Sequence, residues 1–124
     1  MLSIGQNSTA GAGARLVIGE GWASMQEALN RGGKYILVHP DVLRLLKVNN
    51  IDTFLVYAAA MQKEMAAGIP QIDFAGADAN RLLQHWNGRS EAEAPIHVRQ
   101  LKWLKDNAKT SGYEQSGNSW ILKG

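Results

Sequence analysis

The sequence contains no cysteine, which excludes a disulfide framework, a thiolate zinc site and a cysteine nucleophile. It also lacks a long hydrophobic run. The best stretch, Phe54 to Met61, is about half of the roughly 18 residues that a membrane helix needs. Met1-Leu2-Ser3-Ile4-Gly5-Gln6 places no positive charge ahead of its apolar residues, so it does not read as a secretory signal. A cytoplasmic protein with no membrane partner is therefore expected. Signatures of catalysis are missing as well. Ser24 and Ser90 sit in no Gly-x-Ser-x-Gly elbow, and no Gly-Lys-Ser/Thr follows the glycines of 5–21. His39, His85 and His97 share no helix face with one another or with a carboxylate at metal-ligand spacing. A non-enzyme without metal or cofactor is expected, and no internal repeat is detectable.

What is present is one domain's worth of chain, 124 residues and 13.5 kDa. A chain of this size buries about two-thirds of its unfolded surface, enough for a real core. At 45% apolar and 19% charged residues it is neither a disordered acidic tail nor a low-complexity chain. The net charge is only +2, but it is unevenly spread. Residues 1–80 carry six Lys/Arg against seven acids, and residues 81–124 carry seven (Arg81, Arg89, Arg99, Lys102, Lys105, Lys109, Lys123) against four. A basic excess at one end suits a polyanionic partner, and it equally suits a solvated surface.

Along the chain, residues 1–14 are small, polar and glycine-rich and read as a flexible N-terminal arm. Residues 15–124 read as a single domain, of which 15–48 form an N-terminal extension. Arg15–Ile18 is a short strand or tucked-in extended segment. Ala23–Asn30 reads as a helix with Met25 and Leu29 on its apolar side, ended by Gly32-Gly33. Lys34–His39 is the best strand candidate, closed by Pro40. Pro40 and Asp41 suit the first turn of a helix carrying Val42, Leu45 and Leu46. A longer core helix is expected over Asp52–Ala67, with Phe54, Tyr57, Ala58, Met61 and Met65 at helical spacing. Ile69–Gly76 reads as a connector. Asp78 can cap a helix over Ala79–Trp86, and Asn87-Gly88-Arg89-Ser90 is a turn. A last helix is expected over Pro95–Ala108, with Val98, Leu101, Leu104 and Ala108 inward and Arg99, Trp103 and Asp106 outward. The tail reads as two short strands around a Ser-Gly-Asn turn. The expected fold class is mainly α with a small β component (α+β).

Strand, helix, long helix, helix, turn, helix and hairpin over residues 34–124 resemble, in element order, the winged helix-turn-helix superfamily. Phe54–Met65 stands as the core helix, Ala79–Trp86 as the supporting helix, Pro95–Ala108 as the recognition helix and Tyr113–Leu122 as the wing. The connection from Asn87 to Ala94 is about eight residues, longer than the three or four of a compact helix-turn-helix. The resemblance implies a non-catalytic double-stranded DNA-binding protein, a transcriptional regulator or replication accessory of phage or plasmid type. Arg99, Gln100, Lys102 and Trp103 would then face the groove, and Lys105, Lys109 and Lys123 would clamp phosphates. Pairing of two copies, through the N-terminal segment or the Asp52–Ala67 helix, follows from the habit of binding paired half-sites.

Two alternatives stand beside it. Four tryptophans, with Trp22 in a glycine-flanked turn, suit a small protein-binding inhibitor or adaptor of a mobile element. Leu16-Val17-Ile18-Gly19-Glu20-Gly21-Trp22-Ala23 resembles the strand and Glu-Gly turn of the Toprim domain of primases and topoisomerases. There a carboxylate works beside a metal-binding Asp-x-Asp, implying a metal-dependent nuclease. This chain offers only Asp73 and Asp78 for that partnership, five apart and with no convincing strand before them.

Overall fold

Leu16, Val17 and Ile18 are all but completely buried, and they occupy the centre of the sheet around which the chain is built. The computed structural model describes residues 9–123. In chain order its elements are β1 (Thr9–Gly11), β2 (Arg15–Gly19), α1 (Gly21–Arg31), β3 (Lys34–Ile36), α2 (Pro40–Val48), α3 (Phe54–Ala66), β4 (Gln71–Ala75), α4 (Ala79–His85), α5 (Ile96–Asn107), β5 (Tyr113–Ser116) and β6 (Ser119–Leu122). Short 3-10 turns cover Glu91–Glu93 and Lys109–Ser111. The six strands form one mixed sheet in the order β1-β3-β2-β4-β6-β5. No helix among the described residues is long and apolar enough to cross a membrane.

β2 runs parallel to both β3 and β4, while β1, β6 and β5 add antiparallel edges. A continuous apolar run is what a parallel strand covered on both faces requires. The chain leaves β2, crosses through α1 to β3 on one side, then returns through α2 and α3 to β4 on the other. Right-handed crossovers in opposite directions put their helices on opposite faces. Accordingly Val17, Ala75 and Tyr35 meet Ala28 of α1. Leu16, Ile18, Ile72, Phe74 and Trp120 pack with Met61 and Met65 of α3 and Leu101 and Leu104 of α5. Each such fully buried side chain contributes about 1.5–3 kcal/mol, so this second face holds most of the core. A smaller cluster of Val38, Leu46 and Val56 seats α2.

Local chemistry sets the boundaries. Gly32 takes the left-handed conformation at φ 71° to end α1, and its N–H returns to the carbonyl of Ala28. His39 caps α2, its Nδ1 accepting from the Asp41 N–H, with Pro40 in the first turn. Asp52 accepts from the Phe54 N–H ahead of α3, and Asp78 accepts from the Arg81 N–H to cap α4.

Two segments behave differently from the expectation. Thr9–Gly11, inside the expected arm, pairs with β3 as an edge strand; its two half-buried residues show that backbone pairing, not apolar burial, holds it. Residues 1–8 of that arm lie outside the described residues. Gln71–Ala75, inside the expected connector, is a central strand. Its pattern was hidden because Asp73 is buried between two apolar neighbours, held by Arg15 Nη1 at 2.8 Å, Gln71 Nε2 at 2.7 Å and Ser119 Oγ at 2.7 Å. With these two strands the β component exceeds the small one expected. The buried side of α1 is Ser24 and Ala28, while Leu29 is exposed. In α2 Leu46 is buried and Leu45 exposed. The hairpin at the C-terminus turns at Gly117, φ 61°. It does not stand apart as a wing: β6 pairs with β4, which makes the hairpin one side of the main sheet.

Candidate nucleic-acid interface

The helix that carries most of the candidate residues, α5, lies flat on the sheet. Val98, Leu101, Leu104 and Ala108 are inward, as the spacing indicates. Gln100 is inward too, 3% exposed, and its Oε1 accepts the Gly19 N–H at 3.2 Å where β2 ends. At 100° per residue Gln100 lies about 40° from Leu104, so the helical wheel already held the signal for its burial. Arg99 points away from the sheet but closes on Asp52, Nη2 to Oδ2 at 2.6 Å and Nη1 to Oδ1 at 3.1 Å. Its guanidinium also sits 4.6 Å from the centre of the Phe54 ring. The Arg99 hydrogen bonds, and then the Phe54 N–H, hold the Asp52 carboxyl below its ordinary pKa. Trp103 is half-buried against the main core. The expected base-reading pair Arg99 and Gln100 is thus engaged inside the fold, and Trp103 is no free stacking platform.

The lysines behave otherwise. Lys102, Lys105 and Lys109 recur at i, i+3 and i+7 and share one flank of α5 and its 3-10 extension. Lys105 and Lys109 line an open groove of about 510 Å³, whose opposite wall is the β5–β6 hairpin with Tyr113, Gln115, Trp120 and Lys123. Lys105 also borders two adjoining depressions. One, of about 250 Å³, includes Lys102 and Asp106; the other, of about 280 Å³, lies between α4 and Gln115. The depressions join through Lys105 into a trough between α4, α5 and the hairpin. No ion pair ties any of Lys102, Lys105, Lys109 or Lys123 to another of the described residues. Two acids line the trough as well, Glu114 beside the hairpin and Asp106 on α5. Four of the seven expected contact residues are therefore brought together, and Arg99, Gln100 and Trp103 are not.

A second edge of the sheet bears on the Toprim resemblance. β4 supplies the strand that the sequence did not reveal, parallel to β2 with Gly19 opposite Ala75. Glu20 follows directly after β2, and Asp78 stands three residues past β4. Asn118 fixes the connecting loop, its Nδ2 donating to the carbonyls of Phe74 and Ala77 and its Oδ1 accepting the Ala79 N–H. The carboxylate set is nevertheless short. The segment after β4 reads Gly76-Ala77-Asp78, with one acid where an Asp-x-Asp has two, and Asp78 is occupied in capping α4. Asp73 is committed to Arg15, Gln71 and Ser119. No three His, Cys, Asp or Glu among the described residues lie close enough to hold a metal ion. These residues do not fit the metal centre that the resemblance implies.

Comparison with protein-family models, curated proteins and solved structures finds no match to this chain.

Proposed function

We propose that the protein is a non-catalytic double-stranded DNA-binding protein, of the regulator or replication-accessory kind, that grips the phosphate backbone through the lysine trough. One observation carries this reading. Lys102, Lys105 and Lys109 form a single stripe with Lys123 across from it, and none has an acidic partner among the described residues. Unpaired lysines spaced along a groove neutralise successive phosphates and release counterions. The trough differs from a winged-helix recognition surface in one respect: it supplies positioning contacts, without the Arg and Gln that read base edges. Binding that is weakly selective for sequence follows.

The test is a titration of random-sequence duplex at about 50 and 200 mM salt. Each phosphate contact contributes about 0.9 to the salt slope, so replacing all four lysines by alanine should flatten it by about 3 to 4. If the quadruple variant binds duplex with the parent's affinity and slope, the trough is not the interface.

A second reading has its own observation. Trp22 and Leu29, seven apart on α1, are 72% and 63% exposed, which favours a protein partner on that helix. Trp22→Ser would abolish such binding and leave the duplex titration unchanged.

A further inference from the structure

Away from the lysine trough, exposed apolar side chains gather around α2. Of the seven large hydrophobics exposed among the described residues, five (Leu37, Leu43, Leu45, Val48 and Leu55) fall between residues 37 and 55. Leu46 alone of the nine residues of α2 is buried, where it seats the helix against Val38 and Val56. Taking Leu46 as the inward direction at 100° per residue, Asp41, Arg44, Leu45 and Val48 fall within one arc of about 100° on the opposite side. Val48 is 75% exposed and Leu45 52%. Apolar residues grouped on one outward face mark an interaction surface, unlike those scattered singly.

The charges on that face indicate what covers it. Asp41 Oδ1 and Arg44 Nη1 lie 3.1 Å apart at i and i+3, and both side chains are exposed. A face of one sign would call for a partner of the other, but this face carries an acid and a base one turn apart. In a two-fold contact residue i of one copy meets residue j of the other, and j meets i. With two α2 helices antiparallel about an axis between Val42 and Leu43, position 41 of one lies across from position 44 of the other. Each Asp41 then meets the second copy's Arg44, and two exposed pairs become one ring of four alternating charges. An axis normal to the helix pair keeps every residue on its own flank, so the Leu45 side chains of both copies close over that ring from the same side. The same register sets Val48 over the second copy's chain just ahead of α2, where Leu37 is exposed. The helix dipoles also oppose one another.

We propose that α2 is the face through which two copies of this chain pair, antiparallel and two-fold, by exchange of the Asp41 and Arg44 partners and burial of Leu45 and Val48. A partner bearing one sign of charge leaves Asp41 or Arg44 opposed by a like charge; a second copy matches both. The helix is only about 13 Å long, so the contact is smaller than the roughly 800 Å² per partner of a standard interface, and the dimer is weak and reversible. The inference is independent of the lysine trough, whose residues lie on α4, α5 and the hairpin.

The test is sedimentation equilibrium of the full chain from about 20 µM to about 1 mM. The average mass should climb from that of one chain toward that of two. Val48→Glu places a charge at an exposed position, so the Tm should hold while self-association weakens by at least about tenfold. Asp41→Arg leaves a face of two cations and Arg44→Asp a face of two acids, and each variant alone should be monomeric. An equimolar mixture of these two variants should associate again, as a heterodimer at least as tight as the parent pair. A role confined to the helix of one copy would not produce that rescue. A parent chain monomeric at about 1 mM would assign the face to a different partner and overturn the proposal. Association that survives Val48→Glu, or a mixture of the two charge variants that stays monomeric, would overturn it as well.

Discussion

Arg99 is the residue for which sequence and structure assign opposite roles, and one substitution decides between them. As a base reader, Arg99→Ala would lower affinity for a specific duplex by about 1–3 kcal/mol and leave folding intact. In the structure the guanidinium is an internal strut joining α5 to the segment that enters α3. Its side chain is 18% exposed and that of Asp52 is 49% exposed, so the bidentate pair is largely screened and contributes about 0.5–1 kcal/mol. The contact over Phe54 adds about 0.5–1 kcal/mol, and the buried stem adds packing. Arg99→Ala should therefore cost about 1–3 kcal/mol of stability, read as a fall in Tm of several degrees, with the salt slope of duplex binding unchanged. Asp52→Asn keeps an acceptor for the Phe54 N–H and removes the charge. A double-mutant cycle of the two should give a coupling of about 0.5–1 kcal/mol. The pH dependence has a fixed sign. The folded Asp52 carboxyl titrates below its unfolded value, chiefly through Arg99, so its stabilisation is present above about pH 4 and is lost as pH falls through the depressed folded value. The cycle run by urea unfolding at neutral pH and again in acid should show the coupling shrink. An unchanged Tm for Arg99→Ala, with a loss of sequence-specific binding, would refute the strut.

Asn118→Ala removes three hydrogen bonds to the loop between β4 and α4, and should cost about 2–4 kcal/mol in denaturant unfolding. Gly19→Ala should be among the most damaging small changes. Gly19 has φ 132°, and a Cβ there would lie 2.3 Å from the Ala75 carbonyl oxygen across the β2–β4 ladder; loss of soluble folded protein is the readout. Tyr113→Phe strands the Ile69 carbonyl that the Tyr113 hydroxyl now donates to, for about 1–3 kcal/mol. Burial raises the Tyr113 pKa, so this stabilisation holds below about pH 10 and fades as pH rises through the elevated folded value. The phenylalanine variant should therefore show less alkaline destabilisation than the parent.

The helices were readable because their ends are written in side chains. Gly32, Pro40, Asp52, Asp78 and Pro95 each stand within two residues of an observed boundary. The hairpin was readable from its turn. β4 was not, because Gln71-Ile72-Asp73-Phe74-Ala75 shows a polar side where both faces are buried. The arginine that makes Asp73 tolerable there is Arg15, a partner 58 residues away. β1 is invisible for a different reason: Thr9-Ala10-Gly11 has almost no side-chain signal, and only the free edge of β3 gives it a place. At the candidate interface the sequence reading set Lys102 beside Arg99 and Gln100 and apart from Lys105, Lys109 and Lys123, whereas the structure puts Lys102, Lys105 and Lys109 on one flank. The burial of Gln100 and the capture of Arg99 depend on contacts 81 and 47 residues distant. Periodicity assigns a residue to a side of its own helix, and it does not say what the rest of the chain brings to that side.

That distinction also explains where the charge excess resides. The acids of the first 80 residues are largely spent within the fold: Asp73 on Arg15 and Arg31, Glu64 on Lys34, Glu27 on Arg31, Asp41 on Arg44 and Asp52 on Arg99. These pairs consume cations from the same region and draw Arg99 out of the basic C-terminal part. Of the cations that remain in that part, Lys102, Lys105, Lys109 and Lys123 border one trough, and Arg81 and Arg89 likewise have no ion pair among the described residues. Lysines free of ion pairs keep their counterions, and releasing those counterions is the driving force of backbone binding. Pairing takes acids chiefly from the first 80 residues and, of the cations of residues 81–124, takes Arg99, so the lysines of the trough keep their charge while the net charge of the chain stays at +2.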